Sequence, residues 1–301
     1  MVAPVPPDAE RLAAVRAALP ALAAGIYLNT GSVGPLPAET AAAMADLAEY
    51  ELTTGRSHAD YFDETLQRMA EARAAVAAVL TADVDDIALT HATTDGMNIG
   101  VWSIDWRAGD KAVTTTLEHP GGVGPLYRLR DRLGIELAFV DVAAAEDEAV
   151  LLAAFDAAIH DRTRAVVLSH VLWATGTVLP VAAIAEIAHA RGAIVVVDGA
   201  QSAGAIPVDL TATGADVYAI PAQKWLLGPE GMGALAIGPA ARDRLSPAFA
   251  GWFSFEESDS AGTVRPWASA RRFEASGYHR PSIVGMARSS ISAQTSFGCG
   301  P

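Results

Sequence analysis

The sequence predicts an α/β fold with a mostly parallel, seven-stranded sheet flanked by helices, and three observations carry that prediction. Short β-branched runs alternate with helical stretches from residue 85 onward. The last two runs, 216–220 and 233–238, are joined by a loop too short for a helical crossover, so that pair can be antiparallel. The chain has 301 residues, 51% hydrophobic and 19% charged, enough to bury a sizeable core without disulfides or metals.

Taken in order, the first helix is expected near residues 8–24, with Leu12, Val15, Leu19 and Leu22 on one side. YLNTGSVGPLP, from Tyr27, reads as a turn-rich loop, and Pro37 suits the first turn of a second helix. Phe62, Leu66, Met69, Val76 and Leu80 then recur at helical spacing, which predicts a helix with one buried face. Strands follow at IALT (87–90), KAVTTT (111–116), IELAFV (135–140), RAVVLS (164–169) and AIVVVD (193–198), then DVYAI and GALAIG. After residue 245 the pattern weakens into a loop, GWFSFEESDSAGTVRPWASARRFE, before a helix beginning near Pro281. The final SAQTSFGCGP shows no periodicity.

Charge and composition exclude several functions. Lys plus Arg total 21 against 35 Asp plus Glu, a net charge of −14 that repels nucleic acid and anionic lipid. The single cysteine, Cys299, permits neither an internal disulfide nor a cysteine metal site, and the seven histidines lack ligand spacing, so no metal is expected. The N-terminal MVAPVPPDAERLAAVRAALP has no basic start followed by an apolar run, and no stretch approaches the roughly 20 apolar residues of a bilayer span. A cytoplasmic protein with no membrane or nucleic-acid partner is expected.

In open α/β sheets, ligands gather beyond the carboxyl ends of strands, and four such places carry unusual residues. HATTDG after IALT places Thr93 and Thr94 where a helix opens, either as an ordinary cap or as a phosphate cradle. LEHPGG places His119 beside a glycine pair, as a loop residue or a catalyst. Asp198 closes an apolar strand and needs a partner, whether a helix N-terminus or a ligand. Lys224 in AQKWLLGPEG is flanked by apolar residues that would depress an amine's pKa, as a Schiff-base nucleophile requires. No nucleotide P-loop and no serine-hydrolase elbow is present. A phosphate cradle, a ring-stacking histidine, a buried carboxylate and an activated lysine on one sheet are the parts that pyridoxal 5'-phosphate requires.

From about Tyr27 to about Arg288 these motifs resemble the class V aminotransferase group of fold-type I pyridoxal-phosphate enzymes, which includes cysteine desulfurases, selenocysteine lyases and isopenicillin N epimerase-like proteins. The resemblance implies a Schiff base at Lys224, Asp198 on the pyridine nitrogen, Gln201 on the ring hydroxyl, and His119 stacked on the ring. It implies phosphate contacts from Thr93 and Thr94, and a substrate carboxylate near Thr30 and Gly31. Where many members have Ser-x-His before the lysine, this chain has Pro221, Ala222 and Gln223, so Gln223 replaces an imidazole. Trp173 stands in SHVLWATG where the family has a cofactor-contacting Asn. In RFEASGYHRP, Gly277 replaces the threonine that reaches the partner's phosphate, leaving Ser276 as the nearest substitute.

The domains expected from this reading are an N-terminal helix and entry loop over 1–30, a cofactor-binding large domain over 31–245, and over 246–301 a linker that begins the family's small domain. The resemblance implies that the family's carboxylate-binding arginine and the desulfurase cysteine loop belong to the remainder of that small domain. The function expected is that of a homodimeric enzyme acting on a small amino acid, of aminotransferase, desulfurase, lyase or epimerase type. The alternative is a degenerate cofactor-binding pseudoenzyme serving as a binding or dimerization module.

Overall fold

Every residue of Ile194–Asp198 is buried, and alternate side chains enter two different cores, Val195 and Val197 on one face and Ile194 and Val196 on the other. Helices cover both faces, so the run is apolar throughout instead of alternating. The structure, a computed structural model, describes residues 8–275 and 277–295. The predicted seven-stranded sheet is present: β1 (Ile87–Thr90), β2 (Lys111–Thr115), β3 (Glu136–Val140), β4 (Thr163–Ser169), β5 (Ile194–Asp198), β6 (Val217–Pro221) and β7 (Gly233–Ile237). Their spatial order is β1-β7-β6-β5-β4-β2-β3. Only β7 is antiparallel to its neighbours, β6 and β1.

The helices are α1 (Ala9–Ala18), α2 (Ala38–Thr54), α3 (Tyr61–Val79), α4 (Thr93–Trp102), α5 (Pro120–Leu133), α6 (Glu148–Ala158) and α7 (Val181–His189). The single turns α8 (Leu210–Thr213) and α9 (Pro239–Arg242) and the long α10 (Arg280–Thr295) complete the set. Met97 and Ile99 of α4 and Leu126 and Leu129 of α5 fill one core; Met69 and Val76 of α3, Phe155 of α6, Ile184 of α7 and Met286 of α10 fill the other. Helix α10 packs along α2 and α3.

Three expectations are corrected. The first helix stops at Ala18, because Pro20 disfavours a helical backbone at Leu19, which leaves the helix with φ −118° and ψ 78°, and α1 itself buries no residue. Phe62 lies on the exposed side of its helix, against the exposed Trp252, while Met69 and Val76 are buried as expected. The segment after 245 is not all loop: β8 (Phe255–Ser258) and β9 (Val264–Pro266) form a hairpin outside the main sheet. Apart from Phe255 its residues are exposed, so neither face imprints a two-residue period on the sequence.

The topology fixes where chemistry can gather. Because β7 alone is reversed, β1, β2, β4, β5 and β6 all end on one side of the molecule. Ser169 and Asp198 are the last residues of β4 and β5, and the segments leaving β1, β2 and β6 carry Thr93 and Thr94, His119 and Lys224. Neighbouring ends are level, with Ser169 paired to Asp198 and Asp198 to Ala219.

Candidate active site

A cavity of about 380 Å³ opens at these strand ends. Thr93, Thr94, His119, Asp198, Gln201, Gln223, Lys224 and Gly31 all line it, together with Trp173. Thr30 is not among the lining residues, although its neighbours Gly31 and Ser32 are. Ser276 and Cys299 lie outside the described residues.

Asp198 is 5% exposed, and its Oδ1 accepts from the Ala200 N–H at 2.9 Å. No helix follows for it to cap; the chain turns instead through 199–206. Burial pushes its carboxyl above the usual aspartate range, against the pull of the Ala200 N–H, Lys224 and His119. Lys224 shows the mirror effect: burial lowers the amine, and the Asp198 charge opposes it. Gly122 lets the α5 backbone approach, since a Cβ there would stand 2.9 Å from Asp198 Oδ2.

The lysine is held by a constrained turn. Leu227 N–H donates to the Lys224 carbonyl at 3.0 Å, with Leu227 at a left-handed φ of 55° that costs a non-glycine residue roughly 1 kcal/mol. Gly34 of the entry loop donates to the Gln223 carbonyl at 2.6 Å, and a Cβ on it would fall 2.4 Å from the Lys224 oxygen. Gln201 ties the loop from the other side, donating to Gly31 O at 2.9 Å and accepting from Trp225 Nε1 at 2.7 Å.

His119 caps α5, its Nδ1 accepting from Gly121 N–H at 3.0 Å, so the ring proton resides on Nε2. Its ring meets Trp173 edge to face at 5.6 Å. Helix α4 has no comparable cap. Ala92 precedes it and offers no side-chain acceptor, so the first-turn amides and the positive end of the helix dipole remain for a ligand.

Two residues of the cavity wall also carry buried polar atoms with no protein partner, Thr93 Oγ1 and Gln223 Oε1. Orphaned buried polar atoms are rare, and here both line the cavity into which the uncapped start of α4 opens. An anion at α4 with a planar, partly apolar body reaching Asp198 suits this donor set, so the residues present fit pyridoxal 5'-phosphate.

Sequence reasoning missed a second layer. Glu118, next to His119, accepts from Thr115 Oγ1 at 2.7 Å and from Ser169 Oγ at 2.6 Å, tying the β2 loop to the end of β4. Burial raises its carboxyl, and the Asp198 charge adds to that. Tyr218 is fully buried, with its hydroxyl 2.7 Å from His170 Nδ1 and 2.5 Å from Ser202 Oγ. Adjacency to His119 along the chain could have flagged Glu118, whereas Tyr218 comes near Asp198 only through the pairing of β5 with β6. Arg280 and Arg272, the nearest arginines to the family motif, do not line the cavity. Arg280 pairs with Glu51 at 3.3 Å and Glu64 at 2.9 Å, and Arg272 donates to the Arg242 carbonyl.

Among the described residues no three His, Cys, Asp or Glu side chains gather as a metal site, and no helix is long and apolar enough to cross a membrane.

The chain is similar to several known proteins. The family model for aminotransferase class-V matches residues 26–291. A protein described as a probable cysteine desulfurase from Methanothermobacter thermautotrophicus is 33% identical over 276 residues, covering 91% of this chain and 68% of the relative. Isopenicillin N epimerase from Streptomyces clavuligerus is 33% identical over 256 residues, covering 82% of this chain but 61% of its own length. Among solved structures, the cystine C–S lyase C-DES in complex with its reaction product cysteine persulfide superposes with a TM-score of 0.86 at 32% identity, covering 92% of this chain and 74% of that one.

Proposed function

Because the chain belongs to the class V aminotransferase family of pyridoxal-phosphate-dependent enzymes, we propose that it acts on the α-carbon or β-substituent of a small amino acid, with Lys224 as the covalent attachment point of the cofactor. The observation that carries this reading is the single cavity that gathers Lys224, Asp198, His119 and the uncapped start of α4. Bound pyridoxal 5'-phosphate supplies an electron sink for negative charge developing at the substrate α-carbon.

The residues have distinct tasks. Thr93, Thr94 and the first-turn amides of α4 hold the phosphate. Gln223, whose amide oxygen is unpartnered, adjoins the lysine in place of the usual imidazole. Asp198, buried and short of hydrogen-bond donors, keeps a proton on the pyridine nitrogen. Gln201 retains one amide hydrogen for the ring hydroxyl after binding Gly31. His119 presents Nε2–H on a ring held by its helix cap.

As a free amine, Lys224 Nζ would take the α-proton, and its depressed pKa keeps a larger share of it in the basic form. The Thr30–Gly31 turn, anchored by Gln201, receives the substrate carboxylate end. Two relatives carry the names of different reactions, probable cysteine desulfurase and isopenicillin N epimerase, so the proposal takes in both α- and β-chemistry after proton removal. A cytoplasmic homodimer is part of the proposal: Ile26, Leu28, Trp173 and Val178 are exposed apolar side chains that a second copy would cover.

Borohydride reduction of the cofactor-loaded chain, followed by peptide mass mapping, tests the assignment. The label is expected on Lys224 and is absent from Lys224→Ala. A label on Lys111, the one other lysine in the sequence, or no label at all, overturns it.

A further inference from the structure

A second cavity, of about 460 Å³, lies between α3 and the segment that carries the β8–β9 hairpin, and it shares no residue with the Lys224 cavity. Its apolar walls are Leu66, Trp252, Phe253 and Phe255. Two donors in its lining are buried without an acceptor, Trp267 Nε1 and Arg271 Nε. The Arg271 guanidinium stacks on the Trp267 ring, 3.5 Å from its centroid, and among the described residues it makes no ion pair or hydrogen bond.

The neighbouring charges are already matched. Arg73 is bound by both oxygens of Glu274, at 2.8 and 3.2 Å, and Glu256 and Glu257 are both held by Arg265. Arg271 is therefore a cation in a chain of net charge −14 that has a tryptophan face for a neighbour and no carboxylate in contact. Burial and the nearby Arg73 charge work against its ionised form, the more distant charges of Glu274, Glu256 and Asp85 oppose that in part, and an anion in direct contact would relieve it.

We propose that this cavity binds a small monocarboxylate with an aromatic or branched apolar body. The carboxylate accepts from Arg271 and from Trp267 Nε1, while the body packs on Trp252, Phe253 and Phe255. Glu256 and Glu257 line the same cavity, which disfavours a dianion, and Arg271 with Arg73 disfavours a cation. The volume falls in the range of ordinary small-ligand pockets and accommodates a one- or two-ring molecule.

The test is calorimetric titration of the cofactor-loaded protein with 3-phenylpropionate, alongside 3-phenylpropylamine and phenyl phosphate. Saturable one-to-one binding of the carboxylate is expected, with the amine and the phosphate at least ten-fold weaker. Arg271→Gln should weaken binding ten-fold or more and Trp267→Phe about three-fold, each with its unfolding midpoint checked. If Arg271→Gln fails to fold, Arg271→Lys, which keeps the charge but loses the Nε donor, replaces it with an expected loss of at least three-fold. Lys224→Ala should leave binding unchanged, which separates this site from the active site. Absence of saturable binding, equal binding of the amine, tighter binding of the phosphate, or loss of binding in Lys224→Ala would overturn the proposal.

Discussion

The molecule buries charge in two contrasting ways. Arg73 and Glu274, 4% and 0% exposed, saturate one another: Glu274 accepts two hydrogen bonds from the guanidinium and a third from the Leu89 N–H at 2.9 Å. Asp198 and Lys224 are also withdrawn from water, yet Asp198 has one protein hydrogen bond and Lys224 has no ion pair among the described residues. The first arrangement completes itself and holds β1 to the turn before α10. The second leaves unmatched groups around a cavity, at a cost to stability that folding alone does not explain. The difference separates charge buried for architecture from charge buried for a ligand.

The largest effect should come from breaking the self-sufficient pair. Arg73→Met leaves Glu274 buried without its cation, and a loss of about 3–5 kcal/mol in unfolding free energy is expected. Denaturant titration of the cofactor-free chain measures it. A loss under about 1 kcal/mol would show that Glu274 finds other partners and would blur the contrast.

Thr93→Val probes the opposite class. Its hydroxyl has no protein partner, so removing it should leave the cofactor-free unfolding midpoint unchanged or slightly higher. Pyridoxal 5'-phosphate should bind about ten-fold or more weakly, since a hydrogen bond to a charged group contributes about 1.5–3 kcal/mol. Fluorescence titration of cofactor binding checks the second half; undiminished affinity would remove Thr93 from the phosphate cradle.

The smallest effect belongs to an intermediate case. His189 Nε2 lies 2.8 Å from Asp216 Oδ2 at the end of α7, with the imidazole 40% exposed. The hydrogen bond to Asp216 raises the imidazole above its ordinary value, so its contribution is full below the unfolded histidine range and lost as pH rises through the folded one. His189→Gln should therefore destabilise by under about 1 kcal/mol at pH 5.5 and by less at pH 8.5. Unfolding curves at the two pH values decide this, and an equal loss at both would assign the contact to packing.

Much of this contrast is legible in sequence on one side only. Asp198, Lys224, His119 and the Thr93–Thr94 pair stand immediately after strands, where local pattern and strand polarity together announce a ligand site. Their mutual approach follows from topology, because the one reversed strand, β7, leaves the ends of β1, β2, β4, β5 and β6 together. Arg73 and Glu274 are 201 residues apart, and although Glu274 stands in RFEASGYHRP nothing in that motif points to Arg73, so only the fold reveals the pair. Glu118 escaped for a related reason: its partners Thr115 and Ser169 are ordinary hydroxyls that become significant only when β2 and β4 are adjacent. The β8–β9 hairpin was illegible because exposed strands leave no hydrophobic period.

Thermal unfolding of Asp198→Asn beside the parent, cofactor-free and with saturating pyridoxal 5'-phosphate, tests the central claim most directly. The Asp198 carboxyl holds its proton to higher pH in the fold than in the unfolded chain, so its contribution is full at low pH and lost as pH rises through the folded value. Wherever it is ionised, the buried carboxylate works against folding, because burial penalises its charge. The account predicts a cofactor-free midpoint equal to or above that of the parent, with most of the cofactor-induced rise gone. A cofactor-free midpoint several degrees lower, with the cofactor-induced rise intact, would contradict it and place Asp198 among the architectural charges.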